Sequence, residues 1–213
     1  MTLENMMEDM FLETEQIKMD YRIITNPILK RIGIIIRKDF PRASIRFINR
    51  YYPCKKLVGI EIGTFDGWNA LSILRNLNIK KLYLIDPYFT YQDFEEFVNG
   101  QEYLNKREKQ AHKLLRKYKS KIVWIKDTSD NALKLIKERA DFIYIDGNHK
   151  YKFVKKDINN YYKILKSKGI LAGHDIENGL MPHEGVTKAV LEFINKFKLK
   201  LYIQAPDWWV IKK

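Results

Sequence analysis

The stretch that most constrains this chain is LVGIEIGTFDGWNALSILRNL, from Leu57 to Leu77. Leu57 to Ile62 has the length and apolar content of a buried strand, and a helical repeat after it puts Trp68, Leu71, Leu74 and Leu77 on one face. Between them lies a tight loop with Gly63 and Gly67. A strand that turns abruptly into a helix leaves backbone N–H groups unpaired at the helix start, and glycines let a ligand approach that backbone closely. The stretch reads as a nucleotide-type cradle, with a plain strand-turn-helix as its simpler alternative.

A dinucleotide fingerprint needs three glycines, the second making room for a diphosphate. Here Phe65 holds the middle position and the bulky Trp68 follows Gly67, so a diphosphate fits poorly. Two acids remain: Glu61 at the strand end, and Asp86 closing the next apolar run, Lys81 to Ile85, where an acid can take both ribose hydroxyls. An adenosine-type ligand without a diphosphate, its amino-acid tail near the glycine loop, suits these residues better.

The run EIGTFDGWNAL resembles motif I of class I S-adenosylmethionine-dependent methyltransferases, especially the cation-dependent O-methyltransferases with an E-x-G-x-x-x-G-x-[SN]-A loop. Downstream, DFIYIDGNHKYKFVKKDINNYYKILKSKGILAGHDI resembles the subgroup with an I-D-G-x-H motif and a later H-D or E-D pair, which includes sugar- and antibiotic-modifying methyltransferases and cephalosporin hydroxylase-like proteins. The resemblance covers Leu57 to Lys213. It implies an α/β fold: a Rossmann-like, seven-stranded, mostly parallel sheet flanked by helices, with the last strand antiparallel and an N-terminal helical cap. The domain expectation is an extension over 1–56 and a methyltransferase domain over 57–213. The resemblance sets Glu61, Gly63, Thr64, Phe65, Gly67 and Asn69 at the methionine end of the donor, Asp86 at its ribose, and Asp127, Thr128 and Ser129 at the adenine, where Asp127 can accept the exocyclic amine. Ser129 has a plainer role as the N-cap of a helix through Ala132, Leu133 and Ile136.

The pattern places a third strand at Ile122 to Ile125 and a fourth at Asp141 to Ile145, the latter running into Asp146-Gly147-Asn148-His149. A helix with Tyr151, Val154, Ile158, Tyr162 and Leu165 inward is expected to stop at Gly169, and a fifth strand ends in Gly173-His174-Asp175. Neighbouring parallel strands then bring Asp146, His149, His174 and Asp175 to one edge of the sheet. A neutral hydroxyl is a poor nucleophile, so O-methylation requires the protein to position and deprotonate the acceptor. Asp146, His174 and Asp175 are the expected holders of a divalent cation, magnesium or manganese, with His149 as general base. A metal-free site with His149 and His174 as bases is the alternative. His174 stands where relatives carry an acid. A helix over Gly185 to Phe197 and two closing strands, Leu199 to Ile203 and Trp208 to Ile211, complete the expectation; of the adjacent Trp208 and Trp209, one should face in and the other out or into an oligomer contact.

The first twenty residues read as an acidic amphipathic helix, and a cationic one follows the N-cap Asn26 and Pro27. From Tyr21 to Lys56 the only acid is Asp39. The resemblance puts this basic segment near the acceptor; gripping an acidic substrate, lying on an anionic membrane and plain solvation are its other readings. The formal net charge of +13 invites nucleic acid, but Lys- and Ile-rich usage produces it equally well. After Pro87 an aromatic patch, Tyr88, Phe89, Tyr91, Phe94 and Phe97, leads to a charged helix over Gln101 to Ser120 with His112 on its surface, and His183 is a weaker acceptor-side candidate. The single Cys54 cannot form an internal disulfide, and no spanning helix or signal peptide is legible, which points to the cytoplasm.

The reading is an S-adenosylmethionine-dependent O-methyltransferase acting on a small hydroxylated acceptor such as a sugar or glycoconjugate, with a homo-oligomer as one state it can adopt. Its alternatives are an RNA or protein methyltransferase using the basic segment, and a donor-binding protein that does not methylate.

Overall fold

The computed structural model describes residues 41–90, 100–176 and 184–213. The acidic helix, the cationic helix after Pro27, most of the aromatic patch and His183 lie outside these residues. The described elements are α1 (Ala43–Tyr51), β1 (Leu57–Ile62), α2 (Trp68–Asn76), β2 (Ile79–Ile85), α3 (Gly100–Leu115), β3 (Ile122–Ile125), α4 (Ser129–Leu135), β4 (Ala140–Ile145), α5 (Tyr151–Ile164), β5 (Leu165–Gly173), α6 (Glu184–Phe197), β6 (Leu201–Gln204) and β7 (Asp207–Ile211). They build one seven-stranded sheet in the order β3-β2-β1-β4-β5-β7-β6. The first five strands pair in parallel, and β7 runs antiparallel to both its neighbours.

Every residue of β1 and β4 is buried, because helices cover both faces of the central strands. Alternate side chains divide between two layers. Val58, Ile60, Ile62, Ile143, Ile145 and Leu171 meet the apolar faces of α4, α5 and α6. On the opposite side α1 packs on α2, β5 and β7. Among the described residues no helix is long and apolar enough to cross a membrane.

Three local expectations are corrected. The helix after β4 ends at Ile164, since Leu165 pairs with Ala140 in the sheet and is fully buried; Lys168, not Gly169, takes the left-handed turn. Trp68 does not share the buried face of α2 and is 37% exposed. Trp208 and Trp209 do point to opposite faces of β7, yet both are 1% exposed. Trp208 joins the core under α4 to α6, whereas the Trp209 ring lies 5.2 Å from Phe47 of α1 and 5.9 Å from Tyr202. Helix α1 supplies the cover that the sequence argument left to solvent or a partner.

Replacing Trp209 with alanine removes the ring on which α1 rests and should lower stability by about 3–5 kcal/mol in a denaturant titration. A loss below about 1 kcal/mol would mean that α1 does not depend on this seat.

Candidate active site

The β1–α2 loop turns through two left-handed glycines. At Gly63, φ is +87°, and an added Cβ would stand 1.9 Å from the Asp146 carbonyl oxygen. At Gly67, φ is +83°, and a Cβ would meet Ala111 and Leu115 of α3 at 3.2–3.3 Å. At both positions the chain's own packing, and not only the approach of a ligand, calls for glycine. Around the loop opens a cleft of about 450 Å³ at the carboxyl ends of the strands, lined by Gly63, Thr64, Phe65, Asn69 and Asp86 and, beyond the neighbouring strand ends, by Thr128 and Ser129 after β3 and Asp146 and His149 after β4.

Asp86 clamps two loops. Its Oδ2 accepts the Phe65 N–H at 2.8 Å and its Oδ1 the Tyr88 N–H at 2.9 Å, while the Tyr88 hydroxyl donates to the Phe65 carbonyl at 2.7 Å. Burial pushes its pKa up, and the hydrogen bonds from Phe65, Tyr88 and Thr64 only partly offset this. Glu61 lies beneath the loop rather than on the cleft wall. It is fully buried, accepts the Asn69 side-chain amide at 2.8 Å, and burial raises its pKa to about 8. Among the described residues Glu61 Oε2, Thr64 Oγ1 and Asn69 Oδ1 are buried polar atoms with no hydrogen-bond partner.

On the β3 side, Asp127 does not line the cleft. Its Oδ1 accepts the Thr128 N–H at 2.7 Å and the Asn131 amide at 3.0 Å, which holds its pKa down. Thr128, not Ser129, is the N-cap of α4, accepting the Asn131 N–H at 3.5 Å.

At the ends of β4 and β5 the acids and imidazoles meet. His149 Nε2 stands 2.9 Å from Asp175 Oδ2, and His174 Nδ1 stands 2.9 Å from Asp175 Oδ1. Both rings are 3.9 Å from Asp146 Oδ1, too far for a hydrogen bond. The donor atoms of Asp146, His149 and Asp175 all lie within 4.8 Å of one another. That converging group therefore includes His149, where the sequence reading had His174 as the imidazole beside the two acids. Burial disfavours charge on Asp175, yet the hydrogen bonds and charge of the two histidines outweigh it and hold the carboxyl well below the usual range. Asp146 is likewise lowered against the effect of burial, by His149, Arg42 and His174.

A family model described as a methyltransferase domain matches residues 60–176, more than half of the chain. The chain belongs to this methyltransferase-domain family. An uncharacterized protein of Acanthamoeba polyphaga mimivirus is 30% identical over 123 residues, 57% of this chain and 52% of that protein, so the match spans about half the relative's length. Among solved structures, a candidate caffeoyl-CoA O-methyltransferase from Staphylococcus aureus superimposes with a TM-score of 0.59 at 14% identity, covering 98% of this chain and all of that one. An rRNA methylase from Streptococcus thermophilus gives 0.56 at 16% identity over 84% of this chain and 99% of that one. A candidate methyltransferase from Streptococcus mutans, in complex with S-adenosylhomocysteine, gives 0.56 at 15% identity over 81% and 98%. These likenesses show the fold of class I methyltransferases.

One residue of this methyltransferase's site escaped individual notice in the sequence. Arg42, immediately before α1, lines the cleft and donates from Nη1 to Asp146 Oδ2 at 2.7 Å and to the Tyr144 hydroxyl at 2.6 Å. Tyr144 in turn donates to Asp207 Oδ1 at 3.0 Å, and Asp207 Oδ2 accepts the Ser44 N–H at 3.0 Å. The only signal was its membership of the basic run that the family resemblance put near the acceptor.

Glu61 generates a pH prediction. Its folded pKa of about 8 lies above the ordinary 4.5, so the folded state retains a proton that the unfolded chain has lost across that interval. Stability should fall, on the order of 3–5 kcal/mol, as pH rises between these limits and level off above them. Glu61→Gln should remove most of that slope in urea titrations from pH 5 to 9; a slope identical to wild type would show that Glu61 is ionised in its buried seat.

Proposed function

We propose that this methyltransferase moves a methyl group from S-adenosylmethionine to a hydroxyl oxygen of a small acceptor, a sugar or glycoconjugate being the class favoured by the I-D-G-x-H motif. The observation that carries the reading is His149, which lines the cleft that the glycine loop opens onto and stands 2.9 Å from Asp175. S-adenosylmethionine supplies an electrophilic methyl group on a sulfonium. The orphaned atoms of Thr64 and Asn69, both on the cleft lining, suit a ligand whose amino-acid end brings both hydrogen-bond donors and acceptors, and Asp86 retains lone pairs beyond its two backbone partners for ribose hydroxyls.

His149 takes the proton of the acceptor hydroxyl, and Asp175, kept ionised by its surroundings, stabilises the imidazolium that forms. Arg42 keeps Asp146 ionised and fixed beside it. Asp146, Asp175 and the His149 imidazole have the hard-oxygen and nitrogen character that suits magnesium or manganese; an ion held there would lower the acceptor's pKa in place of proton removal by His149.

A second reading, methyl transfer to RNA or protein, draws support from the net charge of +13 and from the likeness to an rRNA methylase. Labelled methyl transfer into a fractionated extract, run with and without a chelator, separates the two. Label in small molecules or glycans that chelator abolishes supports the cation-assisted O-methyltransferase, and label that survives chelation leaves His149 to act without an ion. Label in RNA or protein would replace the first reading by the second.

His149→Ala should lower turnover by about 10²- to 10⁴-fold and leave the affinity for S-adenosylhomocysteine within about twofold. Retained turnover would remove His149 from the role of base.

A further inference from the structure

Asp127, the acid that the sequence assigned to the adenine, is not on the cleft lining beside Thr128 and Ser129, but another carboxyl is. Asp157, two turns into α5, is only 5% exposed and still lines the cleft with Thr128, Ser129 and Phe153. Ser129 Oγ donates to Asp157 Oδ1 at 2.5 Å, and Ser129 is itself held by the Tyr161 hydroxyl, which donates to the Ser129 carbonyl at 2.7 Å. Asp157 Oδ2 receives no hydrogen bond from the described residues. The neighbouring cation does not serve it: Lys156 reaches Asp130 of α4, at 2.5 Å.

Such an acid is costly where it stands. Burial, with Asp130 adding to it, pushes the Asp157 pKa up to about 7 against the opposing Ser129 hydrogen bond and Lys156. It neither caps a helix nor closes an ion pair, and the Ser129 hydroxyl engages only one of its two oxygens. One turn earlier on the same face, Phe153 offers an aromatic ring to the same part of the cleft.

We propose that Asp157 reads the donor's purine: Oδ2 accepts the exocyclic amine of adenine while Ser129 fixes the carboxyl through Oδ1 and Phe153 flanks the base. This rests on the donor reading above. Hypoxanthine presents a carbonyl oxygen where adenine presents that amine, and two acceptors would then face each other. In the isosteric Asp157→Asn variant the Ser129 hydroxyl retains Oδ1 as its acceptor, so the amide nitrogen, a donor, turns toward the base.

The test is calorimetric binding of S-adenosylhomocysteine and S-inosylhomocysteine at pH 8, where the Asp157 carboxylate prevails over its protonated form. Wild type should prefer the adenosyl ligand by about ten- to hundredfold. Asp157→Ala should erase the preference, and Asp157→Asn should erase or reverse it. Wild type binding both ligands equally would overturn the proposal without any variant, and so would either variant that keeps the wild-type preference. Wild type binding neither ligand would overturn the donor reading itself and the inference with it.

Discussion

The site depends on hydrogen bonds that carry the parallel ladder one residue past the strands. Asp86 N–H donates to Ile125, Gly63 N–H to Ile85, Asp146 N–H to Ile62 and His174 N–H to Ile145, at 2.8–3.3 Å. Each loop thus leaves the sheet from the carbonyl of its neighbour, and residues far apart in sequence converge on one crevice. Gly63 is the tightest point, since any side chain there would strike the Asp146 backbone. The glycine loop and the acid that begins the imidazole cluster are therefore one mechanical unit. A shift in one strand's register would separate them.

A second constraint enters from α1. Ser44, Tyr144 and Asp207 are each nearly inaccessible to solvent, and their hydrogen bonds run in a chain that ends on Arg42 and Asp146. A buried polar chain of this kind stabilises only when every member is satisfied. Here it ties the start of α1 to the closing strand β7 and to the end of β4, and it delivers a cation to the cleft with little freedom to leave. The Trp209 ring beneath Phe47 supplies the apolar half of the same attachment.

Most of the sheet was legible because central parallel strands are buried on both faces and so read as uninterrupted apolar runs: β1 and β3 fall where the pattern put them, and β4 begins one residue earlier. The end of α5 was not, since Gly169 looks like a helix stop while the Leu165–Ala140 pairing that decides the matter is a tertiary contact. The histidines and acids after β4 and β5 were found because strand ends are fixed by the ladder. Arg42 and Asp157 were not singled out because their roles depend on where a helix is laid against the sheet, which no local spacing encodes. Asp127 illustrates the converse: it occupies the expected strand end, but its Oδ1 is held by a nearby backbone N–H and Asn131, and the residue does not line the cleft.

The carboxyl groups around the cleft are sorted by environment. Asp146 and Asp175 keep their charge because Arg42 and two imidazoles stand against them, whereas burial pushes Glu61, Asp86 and Asp157 upward and Arg42 at Glu61 and Lys156 at Asp157 offset only part of it. Fixed negative charge is thereby gathered where β4 and β5 end, and reduced at Asp86 and Asp157 along the rest of the cleft lining. A uniformly charged wall would hold a sulfonium tightly in the ground state, and only interactions that strengthen on the way to the transition state speed transfer. On the proposed reading the sulfonium must lie in line with the acceptor oxygen, close to Asp146 and Asp175, and the pairing of those acids with Arg42 and the two imidazoles keeps their charge from holding the cation in its ground state.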